Sequence, residues 1–128
     1  MIVGDAIDMQ GEQFLLTGAH SDRHQLQLYD FGKGELLSNV KMDDGLPSEK
    51  PIQISEAHFH DLSMIVAGGA GGNEVKLFDC EEFKPVAQIR GLSRASYSCD
   101  FSKAGDMFCC AGGDGVIRVF DIVSDNVG

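Results

Sequence analysis

The stretch that decides the fold is "CDFSKAGDMFCCAGGDGVIRVFDIV", residues 99–123, near the carboxyl end of the chain. Apolar and polar residues alternate three times in it, with turns at residues 104–106 and 112–115. A two-residue period is typical of a β-strand with one buried face, and tight turns favour Gly and Asp. The stretch therefore predicts three short antiparallel strands, the last of which ends in the pair Phe120-Asp121.

The same aromatic-aspartate ending occurs twice earlier in the chain. Asp30, Asp79 and Asp121, which close the three segments, lie 49 and 42 residues apart, and each segment follows a turn of small residues and an apolar run. Short strands separated by Gly and Asp indicate an all-β protein. The predicted strands fall near residues 4–9, 13–17, 25–29 and 35–40, then 52–59, 63–67, 74–78 and 85–90, then 96–101, 107–111 and 116–121.

A unit of four short strands repeated every ~40–45 residues is typical of a β-propeller blade. Residues 101–122, "FSKAGDMFCCAGGDGVIRVFDI", resemble a WD repeat in their glycine-aspartate turn and in the strand that ends in an aromatic-aspartate pair. The resemblance implies an all-β WD-repeat propeller, with four-stranded blades at about residues 1–42 and 51–92, a three-stranded blade at 93–123 and a tail at 124–128. The implied structural repeat motif comprises Tyr29, Asp30, Phe78, Asp79, Asp114, Phe120 and Asp121.

The repeats depart from the WD-repeat pattern in the polar residues that lock each blade. In the last unit only the turn aspartate, Asp114, matches. Cys110 stands where the family has Ser or Thr, Phe120 stands where it has Trp, and the chain contains no Trp. We therefore expect Asp114 to cap its own turn through backbone amides. We expect apolar packing between blades to involve Phe78, Phe120, Leu77, Val119, Val66 and Phe108.

The strand count predicts an incomplete ring. WD-repeat propellers commonly have seven blades, and their last blade takes its outer strand from the amino terminus of the same chain. The resemblance therefore implies the carboxyl-terminal part of a propeller, whose exposed blade faces need a cover. We favour a piece of a longer propeller, or a chain that completes a ring with a partner chain, over a homo-oligomeric ring.

The charge balance narrows the classes of partner. Ten Lys and Arg face twenty Asp and Glu, which gives a net charge of −10. Binding to nucleic acid or to an anionic membrane needs an excess of cations, so neither is expected. The four cysteines form no C-x-x-C pair, and the amino terminus resembles no signal peptide or membrane span. These features predict a cytoplasmic protein with reduced thiols, and a cytoskeletal or ciliary assembly is the favoured setting.

The sequence offers little catalytic or metal-binding chemistry. His58 and His60 flank Phe59 in a predicted strand, so their imidazoles share one face and form a candidate pair of zinc ligands. No recognisable cluster completes that site, and a polar strand face is the preferred interpretation. The glycine-rich segment 68–73 lacks the lysine and the helix of a phosphate-binding loop. We therefore predict no enzyme activity, no cofactor and no metal.

The predicted function is a non-catalytic scaffold or adaptor that binds other proteins through loops on the propeller face, by analogy with the fold. The loops lie at residues 20–24, 43–50, 70–73, 91–94 and 114–115, and 42–51 is the longest connection. The candidate binding residues are His20, Asp22, His24, Asp43, Asp44, Glu49, Lys50, Asn73 and Arg94. The alternative is an enzyme or ligand-binding propeller with a carboxylate and histidine site near the ring axis. Its residues would be Asp5, Asp8, Glu56, His58 and Asp100, although their alternating faces disfavour that site.

Overall fold

The computed structural model describes residues 6–123, with the side chain of Tyr97 excepted. This part of the chain contains eleven β-strands and no helix. The strands are β1 (Ile7–Gln10), β2 (Phe14–Gly18), β3 (Leu26–Asp30), β4 (Glu35–Asn39), β5 (Gln53–His60), β6 (Met64–Ala70), β7 (Val75–Asp79), β8 (Lys84–Ile89), β9 (Ser96–Phe101), β10 (Met107–Gly112) and β11 (Ile117–Asp121).

The strands form three antiparallel sheets in the order of the chain. Strands β1 to β4 make blade 1, β5 to β8 make blade 2, and β9 to β11 make blade 3. The all-β prediction and the division into four, four and three strands are confirmed, and the assembly is open rather than closed into a ring. The predicted start of the first strand, residues 4–5, lies outside the described residues, as does the tail at 124–128.

The aspartates of the first two aromatic-aspartate pairs cap the turns into the fourth strands. The Lys33 N–H donates to Asp30 Oδ1 at 3.0 Å, and the Glu81 and Glu82 N–H groups donate to Asp79 Oδ1 at 2.9 and 2.7 Å. Asp accepts such bonds readily because its short side chain reaches the amides two and three residues on. The repeated aspartate therefore stops the third strand and starts the turn.

Two apolar cores lie between the blades. The first joins Leu16 and Leu28 of blade 1 to Ile65 and Phe78 of blade 2. The second joins the opposite face of blade 2 to blade 3, and it includes the rings of Phe108 and Phe120 stacked with centroids 5.1 Å apart. Blade 2 is thus buried on both faces: Ala57 and Ile65 are 0% exposed in the first core and Val66 is 0% exposed in the second.

The packing prediction is right for five residues and wrong for Val119. Val66, Leu77, Phe78 and Phe108 are buried between blades, and Phe120 is partly buried there. Val119 is instead 64% exposed. Alternation along β11 turns Val119 away from blade 2, and within residues 6–123 no sheet lies on that side of blade 3.

Candidate interaction surface

The antiparallel order brings alternate connections to the same end of the strands. Five connections lie at one end of the strands: the turns β2–β3, β6–β7 and β10–β11 and the two linkers between blades. We call this end the loop face, and it comprises residues 19–25, 40–52, 71–74, 90–95 and 113–116. The structure places on it all the candidate binding residues from the sequence, namely His20, Asp22, His24, Asp43, Asp44, Glu49, Lys50, Asn73 and Arg94.

A buried lysine anchors the linker between blades 1 and 2. Lys76 on β7 is 0% exposed, and its Nζ donates to the carbonyls of Met42 at 2.6 Å and Leu46 at 2.7 Å. Asp43 Oδ1 lies 3.3 Å from the same nitrogen. A buried ammonium group is tolerated only when its donors are bonded, so these contacts hold linker and lysine together. The sequence analysis did not identify Lys76. The only sign of its role in the sequence is a charged residue within an apolar strand pattern.

A buried carboxylate holds the second half of the same linker. Glu74 is 2% exposed, and the Ser48 hydroxyl donates to its Oε2 at 2.9 Å. Arg90 Nε lies 3.8 Å from Glu74 Oε1. The Ser48 N–H also donates to Asp43 Oδ1 at 3.2 Å, which closes the linker on itself. The longest connection is therefore tied to blade 2 at both halves, while Asp44, Glu49 and Lys50 remain exposed.

Two candidate binding residues have a backbone role in their turns. His24 and Asn73 both have a φ of +51° and directly precede the residue that leads into the third strand. Gly115, at the same repeat position of blade 3, has a φ of +74°. This left-handed conformation suits Gly and Asn, and it turns the chain into the strand. Substituting either residue would thus change the shape of the turn as well as its surface.

Asp114 caps its own turn, as the sequence predicts. Its Oδ1 accepts the Val116 N–H at 3.1 Å, and its Oδ2 accepts a bond from Arg118 Nη1 at 2.8 Å. The bond from Arg118, followed by that from the Val116 N–H, lowers the pKa of the Asp114 carboxyl. The carboxylate therefore stays ionised and fixes the tip of blade 3.

A charged cluster forms where the inner strands converge. His58 Nε2 lies 2.7 Å from Glu56 Oε1, and His58 Nδ1 lies 3.6 Å from Asp8 Oδ2 of blade 1. Asp8 Oδ2 also accepts the Phe59 N–H at 2.9 Å. The dispersal expected from alternation is wrong for these residues, because the side chain of Asp8 on β1 reaches across to His58 and Phe59 on β5 of the next blade. Asp5 lies outside the described residues, and Asp100 is exposed on β9.

The charges of this cluster act on the histidine. Burial lowers the pKa of His58, but the hydrogen bond and charge of Glu56 and the charges of Asp100 and Asp8 together raise the pKa above its ordinary 6.5. The imidazolium form is thus the form that the site favours. A cavity beside it is lined by Glu56, His58, Ser98, Cys99, Asp100, Cys109, Cys110, Ala111 and Ile117.

The two histidines proposed as zinc ligands have different surroundings. The His60 ring packs on that of Phe101 with centroids 5.7 Å apart, and its Nε2 lies 3.7 Å from Asp61. His58 instead contacts Glu56 and Asp8. In residues 6–123 no three His, Cys, Asp or Glu side chains group as metal ligands. The same residues contain no helix that is long and apolar enough to span a membrane.

The fold resembles that of a β-propeller domain and of two designed proteins at low sequence identity. The β-propeller domain of Cps50 (Swd1) from Myceliophteria thermophila superposes with a TM-score of 0.73 at 12% identity, over 97% of this chain and 37% of that one. The computationally designed proteins Ika4 and Ika8 give TM-scores of 0.69 and 0.68, both at 16% identity over 91% of this chain. The chain spans 64% of Ika4 and 32% of Ika8. No family model and no curated protein sequence matches the chain.

Proposed function

We propose that this chain is a non-catalytic scaffold of the WD-repeat type, which binds other proteins through its loop face. The proposal is supported by the propeller-like fold and by the turn chemistry of the three repeats. A stack of sheets whose connections meet at one end presents several loops to one partner at once. The assignment to the WD-repeat type is based on the resemblance of the three repeats to WD repeats.

The observation that supports the loop face most strongly is the anchoring of residues 42–51. A loop that is already ordered loses little conformational entropy when a partner binds, so more of its contact energy is available for affinity. Lys76 and Glu74 of blade 2 hold the linker in place through hydrogen bonds. The charged side chains of Asp44, Glu49 and Lys50 in the linker are exposed and can contact a partner.

The partners that we propose are proteins with basic surfaces, because the chain carries a net charge of −10. The same charge is the reason we propose no direct contact with nucleic acid or membrane. A cytoplasmic location, in a cytoskeletal or ciliary assembly, is proposed from the reduced thiols and the family resemblance. The described cysteines Cys80, Cys99, Cys109 and Cys110 are all free thiols.

The open faces of blades 1 and 3 imply a second kind of contact. Each sheet of the stack has two faces with apolar residues, and the outer faces at the two ends are uncovered within residues 6–123. We propose that further blades cover them in the working protein, and that these come from a longer polypeptide, from another chain or from a second copy of this chain.

Affinity capture with quantitative mass spectrometry tests the loop face. The test variant is Asp44→Lys with Glu49→Lys, two exposed carboxylates in the anchored linker. The matched control is Glu12→Lys, in the β1–β2 turn, with Glu35→Lys, at the start of β4, which changes the net charge equally at two exposed positions outside the loop face. Partners that bind the loop face should fall at least about tenfold with the test variant alone. Equal recovery with both variants would contradict the proposal.

The cluster of Asp8, Glu56 and His58 supports a second candidate function, the binding of a cationic ligand near the ring axis. The acidic groups and the adjoining cavity are the observations that favour it. Calorimetric titration with a short arginine-rich peptide checks it, with Asp8→Asn as the variant. Binding that is unchanged by Asp8→Asn, or absent altogether, would eliminate this candidate.

A further inference from the structure

One end of the blade stack is the sheet face of blade 3 that points away from blade 2. At the repeat positions that face the following blade, blades 1 and 2 hold apolar side chains that are at most 5% exposed. In blade 3, Ile117 is 75% exposed and Val119 is 64% exposed. The three sets are Leu16, Leu26 and Leu28 in blade 1, Val66, Val75 and Leu77 in blade 2, and Cys109, Ile117 and Val119 in blade 3.

The other end is the face of blade 1 that points away from blade 2, and it has the complementary pattern. At the positions that face the preceding blade, the residues of blade 2 are at most 8% exposed, whereas Ile7 and Met9 of blade 1 are 49% and 42% exposed. An aromatic ring recurs at one of these positions in every blade. The sets are Ile7, Met9, Leu15 and Tyr29 in blade 1, Ala57, Phe59, Ile65 and Phe78 in blade 2, and Cys99, Phe101, Phe108 and Phe120 in blade 3.

The two end faces are therefore the two halves of one interface. That interface already occurs twice inside the chain, between blades 1 and 2 and between blades 2 and 3, each time with an aliphatic set packed on a set that holds an aromatic ring. A polar contact accompanies the interface between blades 1 and 2, since Asp8 accepts the Phe59 N–H of the next blade at 2.9 Å. Asp100 occupies the position of Asp8 in blade 3 and is exposed.

The sequence alone favours other covers, but because this one chain carries both halves of the interface, we propose that two copies of it join head to tail, with blade 3 of each copy packed on blade 1 of the other, and close a six-bladed ring. This inference rests on the proposed function in one respect, namely that further blades cover the end faces of blades 1 and 3. Heterologous contacts that use both ends of each protomer close a ring when the rotation fits. Propellers contain about four to eight blades, so two copies with six blades fall within the range and three copies with nine do not.

Sedimentation velocity or light scattering on the purified chain measures the copy number. At about 50 μM, where association of micromolar strength is mostly complete, we expect twice the 13.8 kDa mass of one chain. Val119→Arg places a charge in the contact and should reduce the mass to that of one copy. The matched control, Val86→Arg, changes a 52% exposed valine on the outer strand β8 and should leave two copies.

A mixing experiment distinguishes the head-to-tail arrangement from pairing of like faces. Tyr29→Arg blocks the blade 1 face as Val119→Arg blocks the blade 3 face, so each variant alone should be a single copy. Mixed in equal amounts, they retain one intact pair of faces and should form a two-copy species. If blade 3 faces paired with each other, Tyr29→Arg alone would stay dimeric and the proposal would be overturned.

The remaining outcomes are equally decisive. A single-copy mass for the unmodified chain, an open polymer, or equal behaviour of Val119→Arg and Val86→Arg would each overturn the two-copy ring. Slower labelling of Cys109 by a thiol reagent in the unmodified chain than in Val119→Arg would support it, because Cys109 lies in the covered face. None of these results depends on the loop face, so loss of partner capture by the linker variant tests the proposed function separately.

Discussion

Blades 2 and 3 have the same repeat pattern, but equivalent residues in the two blades differ in burial. Phe78 and Phe120 occupy the same position, but Phe78 is 0% exposed and Phe120 is only partly buried. Lys76 and Arg118 also share a position, and Lys76 is fully buried whereas the Arg118 side chain is 33% exposed. The difference follows the outer strand: β8 flanks β7 in blade 2, whereas β11 is the edge strand of blade 3 within residues 6–123.

The largest effect should come from the two phenylalanines. Phe78→Ala removes a ring enclosed by both sheets of the first core and should lower the free energy of unfolding by about 4 kcal/mol. Phe120→Ala, its matched control in blade 3, should cost about 2 kcal/mol because less apolar surface is lost. Urea unfolding measures both, and equal losses would show that blade 3 is packed as tightly as blade 2.

The next largest difference in stability should be between variants of Lys76 and Arg118, which occupy the same repeat position. Lys76→Met removes the donor to the Met42 and Leu46 carbonyls, and we expect a loss of about 2 kcal/mol. Arg118→Met breaks a partly exposed pair with Asp114 and should cost less than about 1 kcal/mol.

Limited proteolysis separates the local effect of Lys76→Met from a global loss of stability. Of the two variants, only Lys76→Met should accelerate cleavage within residues 42–51, because Lys76 bonds to that linker and Arg118 bonds to Asp114. If Arg118→Met opened the linker equally, the anchoring role of Lys76 would be wrong.

The smallest effect should be a pH dependence at the junction of the inner strands. Because the pKa of folded His58 is raised, its charged form stabilises the fold fully below about pH 6.5, and the contribution is lost as the pH rises through the folded pKa. The stability difference between the unmodified chain and His58→Gln should therefore be larger at about pH 6 than at about pH 8.5.

The control for this titration is Asp8→Asn, measured by thermal unfolding at the same two pH values. It removes one of the three carboxylates that act on His58, while Glu56 keeps its 2.7 Å contact. Part of the pH dependence should therefore remain. A difference between the unmodified chain and His58→Gln that grew with pH would show that burial, and not the carboxylates, dominates at His58.

Much of the candidate surface could be predicted from the sequence, because turns are local. The small residues and aspartates that mark residues 20–24, 70–73 and 114–115 place these loops between consecutive strands, and an antiparallel order then brings them to one end. The capping role of Asp114 was predictable for the same reason. The anchoring of residues 42–51 was not, because it depends on side chains 26 to 34 positions away in the sequence.

The sequence by itself determined the strands, their order and the turns, since a two-residue period and turn-forming residues act over a few positions. Only the tertiary structure decided which strand faces are covered. The segment "EVKLFD" gives Lys76 the polar position of a half-buried strand, but blade 2 is covered on both faces and Lys76 is buried with it. Val119 has the apolar position of Leu77 and is exposed, because burial depends on a neighbouring sheet that a strand pattern does not encode.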